Sequence, residues 1–308
     1  MKRITMLLLG VLASLVLLVT PAGAVTGNFV KDFEHPYIGL VAFYDADGNF
    51  MWRCSGSLLT DRVFLTAGHC TDQDAEESPV MARIWFEQNV GGAFDPVTGA
   101  EDPNTGYPNR CLEGDPLCVE STLLFDFGFD EFAGFPNTHD VGLIILPEDQ
   151  AVSLPEYGQL AEAGFLDSLV TQRGRQDVTF TVTGYGVSRF NPVHQRISFR
   201  DFRERLMAET QLVNLNSALT GGFNIQLSSA PAAGRGGICF GDSGGPVLYG
   251  GFESNTIVAV NSFVLNGNCA GVGFGFRTDQ TAVINWILGI VAQYAPDELD
   301  EIQFVEAP

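Results

Sequence analysis

The chain has 308 residues, 45% of them hydrophobic and 17% charged, which excludes an intrinsically disordered protein and allows one large domain or two smaller ones. Its 37 acidic and 16 basic residues give a formal net charge of -21. Because this charge repels nucleic-acid phosphates and anionic lipids, we expect neither nucleic acid nor a membrane surface as a partner.

The N-terminal residues 1–24 are typical of a secretory signal peptide. Two basic residues begin the segment, residues 6–19 are an uncharged and mostly apolar run, and residues 22–24 are a small-residue cleavage site. A membrane anchor is the alternative, but the apolar run is short for a span and Pro21 interrupts its end. We therefore predict a secreted, extracellular protein that has no membrane contact after signal cleavage.

Seven short segments, either apolar throughout or alternating with period two, predict β-strands. The first two are separated at residues 45–49 by Asp-Ala-Asp-Gly-Asn, a turn signal, so we expect them to form a hairpin. The seven segments span residues 38–44, 50–59, 63–66, 141–146, 178–183, 256–260 and 273–276.

Residues 71–137 are rich in Gly, Pro and Asp, and we interpret them as loop insertions between strands. Acidic residues in this stretch could bind calcium, but their spacing matches no known calcium loop, so a solvated loop is the favoured interpretation. These acidic residues are Asp95, Glu101, Asp102, Glu113 and Asp115.

One strong helix is predicted near the end of the chain. Asp279 can cap it, apolar residues recur at helical spacing as far as Tyr294, and Pro296 ends it. The acidic tail that follows, residues 296–308, is expected to be loose.

Six cysteines, an even number in an exported chain, suggest three disulfide bonds. Their spacing matches no zinc-ligand pattern, so we expect no metal site. The cysteines are Cys54, Cys70, Cys111, Cys118, Cys239 and Cys269.

Three segments carry residues suited to nucleophilic catalysis. His69 lies in Thr-Ala-Gly-His-Cys, Asp140 in Thr-His-Asp-Val-Gly, and Ser243 in Cys-Phe-Gly-Asp-Ser-Gly-Gly-Pro. A serine hydroxyl needs a base to take its proton, and histidine is the natural base because its pKa lies near 7. The base in turn needs an orienting partner, and the N–H groups of Gly241 and Ser243 could converge on a developing oxyanion.

The segment at residues 241–245 also fits the Gly-x-Ser-x-Gly elbow of α/β-hydrolases. In those enzymes the acid and the histidine follow the serine in the chain. Here every histidine precedes Ser243, and only one strong helix is predicted. We therefore discard this alternative.

The order His69, Asp140, Ser243 and the sequences around these residues resemble the chymotrypsin/trypsin family of serine proteases. The likeness extends from about Val25 to Tyr294. It implies an all-β fold of two antiparallel β-barrels, of about six strands each, with a C-terminal α-helix. The implied divisions are a first barrel at 25–150 including the insertion, a second barrel at 151–277, the helix at 278–295 and the tail at 296–308.

The resemblance also implies a role for each site residue. Ser243 attacks the peptide carbonyl, His69 acts as general base and then general acid, and Asp140 orients the imidazole. Gly241 and Ser243 donate the oxyanion-hole N–H groups, and Ser262 braces Asp140. The implied reaction is hydrolysis of a polypeptide substrate through an acyl-enzyme, without a cofactor, and we expect a monomer.

The resemblance further implies the disulfide pairing: one bond beside the histidine, one beside the specificity pocket, and the remaining two cysteines closing a small loop within the stretch 71–137. The implied pairs are Cys54–Cys70, Cys239–Cys269 and Cys111–Cys118.

Specificity follows from the family's pocket positions. Gly237 stands at the base of the pocket, where trypsin-like members use Asp to bind Arg or Lys. By the same resemblance, Ile238 adds apolar surface and Gly273 lines the far wall. Ser262 begins the substrate-pairing strand, and Val264, two residues later, narrows the pocket. We therefore expect cleavage after small or medium apolar residues.

Activation in this family uses a new N-terminal ammonium that pairs with the Asp before the nucleophile, here Asp242. Signal cleavage after Ala24 would expose Val25, followed by Thr and Gly, so the signal peptidase itself could create the activating terminus. The alternative is that residues 25–30 are a short propeptide or a loose end. A protease-like binding protein that has lost a triad member is the non-enzyme alternative, but all three members are present here.

Overall fold

Residues 25–73, 77–90, 111, 114–170, 178–187 and 204–308 are described by the computed structural model of the protein. The predicted signal peptide and four of the five acidic residues considered as calcium ligands lie outside the described residues. The fifth, Asp115, accepts a hydrogen bond from the Leu117 N–H at 3.0 Å. Among the described residues, none of the helices has the length and apolar character that crossing a bilayer requires.

Short strands make up most of the regular structure. Those of the first half are β1 (Thr26–Gly27), β2 (Val30–Lys31), β3 (Ile38–Tyr44), β4 (Phe50–Leu58), β5 (Val63–Thr66), β6 (Met81–Trp85), β7 (Cys118–Ser121), β8 (Leu123–Asp126) and β9 (Gly142–Ile145). Those of the second half are β10 (Gln159–Ala161), β11 (Thr179–Gly184), β12 (Leu206–Asn214), β13 (Asn224–Ser229), β14 (Gly236–Gly237), β15 (Pro246–Tyr249), β16 (Thr256–Val264), β17 (Gly271–Arg277) and β18 (Phe304–Val305). The α-helices are α1 (Gly68–Thr71), α2 (Asp167–Val170) and α3 (Thr281–Tyr294), and 3-10 turns span Glu148–Gln150, Pro231–Ala233 and Pro296–Glu301.

Seven antiparallel strands form the first barrel, in the order β7-β6-β3-β4-β5-β9-β8. Its edge strands β7 and β8 are separated in the chain by Thr122 alone, so the sheet curls back on itself. Strands β3 and β4 form the expected hairpin. In its turn the Asp45 carboxylate accepts hydrogen bonds from the N–H groups of Asp47 and Asn49.

Six antiparallel strands close the second barrel, because β15 pairs with β11 on one side and with β16 on the other. Three short strands extend this sheet: β2 lies antiparallel to β12, and β10 lies parallel to both β16 and β18. The predicted fold class, two antiparallel β-barrels followed by a C-terminal helix, is confirmed. The strand count of six holds for the closed second barrel, whereas the first has seven.

Strands β5 and β9 are buried on both faces. Phe64 and Ile144 pack inside the first barrel. Their neighbours Leu65 and Leu143 point the other way, into a cluster shared with the second barrel and α3. This double burial explains why both strands are continuous apolar runs in the sequence.

The interpretation of residues 71–137 as loop insertions is wrong in part. Strands β6, β7 and β8 all lie in this stretch and belong to the first barrel. They are four or five residues long and stand between Gly- and Pro-rich segments, so they leave only a weak pattern in the sequence.

Helix α3 matches the predicted helix, but Asp279 does not cap it. The N-cap position is Gln280, which makes no side-chain capping bond. The Asp279 carboxylate is instead held by the Arg277 guanidinium at 2.7 and 2.8 Å and by the Leu166 N–H at 2.8 Å. A buried carboxylate is stabilised most by such a charged partner, which is why this pairing prevails over a cap.

The expectation of a loose tail is also wrong. After the 3-10 turn Pro296–Glu301, strand β18 pairs in parallel with β10. Ile302 is buried in the cluster between the barrels and α3, and Asp297 forms an ion pair with Arg62 of the first barrel at 2.9 Å. The acidic segment is therefore anchored to both barrels.

The structure contains the three expected disulfide pairs. They are Cys54–Cys70, Cys111–Cys118 and Cys239–Cys269.

Candidate active site

The pairing of β5 with β9 brings His69 and Asp140 together. Thr66, the last residue of β5, lies opposite Gly142, the first residue of β9. His69 follows β5 in the short helix α1, and Asp140 precedes β9. Two residues that are 71 positions apart in the chain thus meet at one end of an antiparallel strand pair.

The two side chains are joined by a close ion pair. The His69 Nδ1 atom lies 3.0 Å from each carboxylate oxygen of Asp140, and the His69 backbone N–H donates to Oδ1 at 2.8 Å. The Ser262 hydroxyl, on β16 of the second barrel, donates to Oδ2. Asp140 is fully buried, whereas the His69 side chain is 26% exposed. Asp140 therefore holds the imidazole at Nδ1, and part of the ring remains accessible to solvent.

Burial and charge act in opposition on both groups. Burial would raise the pKa of Asp140, but the charge and hydrogen bonds of His69, aided by the Ser262 hydroxyl, hold that pKa below its ordinary value. Burial would lower the pKa of His69, but the carboxylate of Asp140 raises it above its ordinary value. Asp140 therefore stays ionised and favours a proton on His69.

Ser243 lies in the loop between β14 and β15 of the second barrel, and that loop exposes two backbone donors. Gly241 and Gly244 adopt φ values of +93° and +79°, which a side chain would disfavour. Within the described residues, neither the Gly241 N–H nor the Ser243 N–H has a hydrogen-bond acceptor. A pair of unpaired N–H groups beside a hydroxyl is the arrangement that stabilises an oxyanion.

His69 and Ser243 line one cavity of about 280 Å³, whose surface is mainly apolar. Of the expected pocket residues, Ile238, Ser262 and Val264 line it. The lining residues are His69, Phe132, Ile238, Cys239, Phe240, Ser243, Ser262, Phe263 and Val264.

Two expected pocket residues, Gly237 and Gly273, do not line the cavity. A Cβ atom added to Gly273 would lie 2.6 Å from Cγ1 of Ile238, and one added to Gly237 would collide with Ser229. The Ile238 side chain therefore covers Gly273 and makes the cavity shallow.

Three phenylalanines that line the cavity were not predicted from the sequence. Phe263 and Phe240 are direct neighbours of the predicted residues Ser262 and Gly241, so their position could have indicated them. Phe132 comes from the stretch expected to be loops, and nothing in the sequence singles it out. Its ring packs edge-on against Phe263 with the centroids 5.6 Å apart, forming an apolar wall beside His69.

A larger and more polar cavity of about 620 Å³ shares no lining residue with this site. In the described part of the chain, one group of potential metal ligands lies close together, formed by Cys54, His69 and Cys70. The two thiols are joined in a disulfide, so they cannot ligate a metal as thiolates.

The two residues expected to act in activation also lie in the second barrel. Val25 is fully buried in its core, and the next residue, Thr26, pairs with Gly237. Asp242 is fully buried; its carboxylate accepts the N–H groups of Gly186 and Cys239, each at 2.8 Å. Burial raises the pKa of Asp242 to about 7, although the two N–H donors and the charge of Arg53 act to lower it.

Comparison with known proteins gives one family. The family model described as Trypsin matches residues 137–287. Serine protease Hayan of Drosophila melanogaster is 25% identical over 276 residues, which cover 86% of this chain and 38% of Hayan. The chain spans between 32% and 59% of the length of the curated relatives it matches.

Solved structures share the fold. A structure of HL collagenase has a TM-score of 0.57 and 19% identity, covering 86% of this chain and 97% of that one. The scabies mite inactivated protease paralogue S-I1 has a TM-score of 0.55 and 17% identity, covering 87% of this chain and 99% of that one. Both show the same two-barrel architecture.

Replacing Asp140 with Asn should lower the pKa of His69, because the carboxylate is the group that raises it. An NMR titration of the imidazole measures this directly. In the wild-type protein the raised His69 pKa contributes stability that is complete below about pH 6.5 and is lost as the pH rises through the folded-state pKa. The Asn variant should lack that dependence.

Asp45→Asn, at the exposed hairpin turn, is the control and should leave the His69 titration in place. An unchanged His69 pKa in Asp140→Asn would mean that the ion pair does not govern this imidazole.

Proposed function

Since the chain belongs to the trypsin-like serine protease family, we propose that it is a secreted serine endopeptidase that forms an acyl-enzyme on Ser243. The observation that carries the proposal is the ion pair between His69 Nδ1 and the buried Asp140, with His69 facing the same cavity as Ser243. Three disulfides fit an oxidising, extracellular compartment.

Each step of peptide hydrolysis has a residue suited to it. His69 takes the Ser243 proton through Nε2 as the hydroxyl attacks the carbonyl carbon, and Asp140 stabilises the resulting imidazolium. The N–H groups of Gly241 and Ser243 receive the negative charge that develops on the carbonyl oxygen. His69 then returns the proton to the leaving amine, and water reverses the sequence to release the acid. No step needs a cofactor.

The shape of the cavity supports a preference for small or medium apolar residues at the cleaved bond. Ile238 closes the floor and Val264 adds apolar surface at the side. Among the described residues that line the cavity, none carries a carboxylate that could pair with Arg or Lys. Because one methylene in such a pocket changes binding by only about 1–3 kcal/mol, the preference is broad.

Signal cleavage after Ala24 is proposed to activate the enzyme. Val25 has φ +58°, a strained value for a β-branched residue within a chain. An N-terminal residue has no φ, so this cleavage would remove the strain. The new ammonium would also place a positive charge beside buried Asp242, in addition to that of Arg53, which already lowers the pKa of this carboxyl. The pairing of Thr26 with Gly237 supports this route, because it holds the segment in the second barrel.

An inactive binding protein is the second candidate. The fold is similar to that of an inactivated protease paralogue, which suggests this candidate. A shared fold does not imply a shared function, so the residues of the site must decide. The enzyme is favoured by the intact His69–Asp140 pair and by the N–H groups of Gly241 and Ser243, which have no acceptor in the part of the chain that the structure describes.

An organophosphonate should label the secreted protein covalently and stoichiometrically at Ser243, because only an activated hydroxyl attacks phosphorus readily. Intact-mass and peptide mass spectrometry measure the adduct. Ser243→Ala should remain unlabelled and should lose casein or peptide hydrolysis. A folded wild-type protein that takes up no label would support the binding-protein candidate.

On a peptide library, kcat/KM should be higher after Ala, Val or Leu than after Arg or Lys. Ile238→Ala should deepen the cavity towards Gly273 and raise kcat/KM after Phe or Met relative to Ala by about tenfold. Leu265→Ala, an exposed apolar residue next to Val264, is the matched control and should keep the wild-type profile. Preferred cleavage after Arg or Lys would refute the assignment of the pocket.

N-terminal sequencing of the active protein should read Val-Thr-Gly. A variant with one extra residue before Val25 should fold yet lose most activity, because its ammonium cannot reach Asp242. In that variant Asp242 keeps a pKa near 7, so its contribution to stability is full below about pH 4 and is lost as the pH rises through 7. Thermal melts between pH 5 and 8 measure this loss, which the processed enzyme should not show. Full activity of the extended variant would exclude the Val25–Asp242 pair as the switch.

A further inference from the structure

All polar groups of Ser55 on β4 take part in hydrogen bonds, and two of the four bonds reach the oxyanion-hole residues Gly241 and Ser243. Its hydroxyl donates to the Gly241 carbonyl at 2.8 Å and accepts from the Tyr185 N–H at 2.9 Å. Its N–H donates to the Ser243 carbonyl at 2.7 Å, and its own carbonyl accepts from the Thr66 hydroxyl at 2.8 Å. The residue is fully buried and lies in the first barrel, whereas Gly241 and Ser243 lie in the second.

The loop that Ser55 contacts needs such fixing. Gly241 has φ +93°, and a glycine moves between backbone conformations more easily than any other residue. The direction of the Gly241 N–H depends on the two peptide units that flank its Cα atom. The unit before it is held by the Val187 N–H, which donates to the Phe240 carbonyl at 2.9 Å. The unit after it is held at its carbonyl by the Ser55 hydroxyl.

Ser243 is fixed in the same way. The peptide unit before it is held by the Gly245 N–H, which donates to the Asp242 carbonyl at 2.9 Å, and the unit after it is held by the Ser55 N–H. A single residue of the first barrel therefore restrains one peptide unit beside each of the two N–H donors.

We propose that Ser55 is a positioning residue for the oxyanion hole: its hydroxyl fixes the Gly241 peptide so that the Gly241 and Ser243 N–H groups converge on one point. This inference rests on the proposed function. Ser55 does not touch the substrate; it acts on the rate through the orientation of the donors, which must be in place before charge develops. Removing the Ser55 hydroxyl should therefore weaken binding of the transition state more than binding of the substrate in its ground state.

Ser57 provides a matched control on the same strand. It points to the same side of β4 two residues further on, is 1% exposed, and its hydroxyl has no hydrogen-bond partner in the described part of the chain. Ser55→Ala and Ser57→Ala each remove one buried hydroxyl, but only the first frees the Gly241 carbonyl.

The experiment compares these two variants with the wild-type enzyme on one peptide substrate with an apolar residue at the cleaved bond. In Ser55→Ala, kcat should fall about tenfold, while KM stays within about twofold of the wild-type value. This loss is smaller than the fall in kcat of about 10²–10³ that follows removal of a whole oxyanion-hole donor. The affinity for a peptide aldehyde, whose adduct places an oxyanion in the hole, should fall by the same factor as kcat. The acid limb of the pH profile should stay in place, because His69 and Asp140 are untouched. Ser57→Ala should match the wild type throughout.

Near-UV circular dichroism and prolonged phosphonate titration give the folded fraction, so that kcat is expressed per competent site. Ser55→Cys replaces the hydroxyl with a slightly larger thiol, which is a weaker donor, and its kcat should lie between those of the wild type and Ser55→Ala. The proposal is overturned if kcat per site in both Ser55 variants equals the wild-type value, if only KM changes, or if Ser57→Ala loses as much. A wild-type protein that neither hydrolyses peptides nor takes the label overturns the proposed function, and this inference with it, before any variant is compared.

Discussion

The buried carboxylate of Asp140 is hydrogen-bonded by residues of both barrels, and the geometry of the candidate site depends on these bonds. An isolated carboxylate is very costly to bury, so its charge must be matched where it lies. The first barrel supplies the imidazole and backbone N–H of His69, and the second barrel supplies the Ser262 hydroxyl. The ion is fully satisfied only when both barrels are packed together, so the same contact that orients His69 also favours the closed arrangement of the molecule.

Other contacts between the barrels serve the same end. Ser55 of β4 reaches the loop that carries Ser243, and the apolar cluster around Leu65 and Leu143 joins β5 and β9 to α3. The tail adds a further link on the surface through Arg62 and Asp297. The Ser243 hydroxyl and the N–H groups of Gly241 and Ser243 belong to the second barrel and the His69 imidazole to the first, so these junctions between the barrels set their relative positions.

The sequence predicts the parts of the fold and site that depend on local pattern. Such patterns occur in the segments around His69, Asp140 and Ser243, in α3 and in strands β3, β4, β5, β9, β11, β16 and β17, whereas the nine-residue strand β12 was not predicted. Strands β6 to β8 were missed because they are short and flanked by Gly- and Pro-rich stretches, and β18 because two residues form it. Asp279 was predicted as a helix cap because capping is inferred from the residues next to a helix. In the folded protein Asp279 is buried and binds Arg277 instead, and the sequence pattern does not reveal that burial. The depth of the cavity depends on the contact between Ile238 and Gly273, which are 35 positions apart and whose proximity no local pattern reveals.

The double burial of β5 and β9 has a consequence for how the molecule opens. Every residue of both strands is buried, and the two strands pair over their whole length. Amide hydrogens in such strands are shielded from local fluctuations and exchange with solvent chiefly when the whole unit unfolds. His69 follows β5 within three residues and Asp140 precedes β9 by two, so their mutual geometry is expected to persist until this strand pair opens.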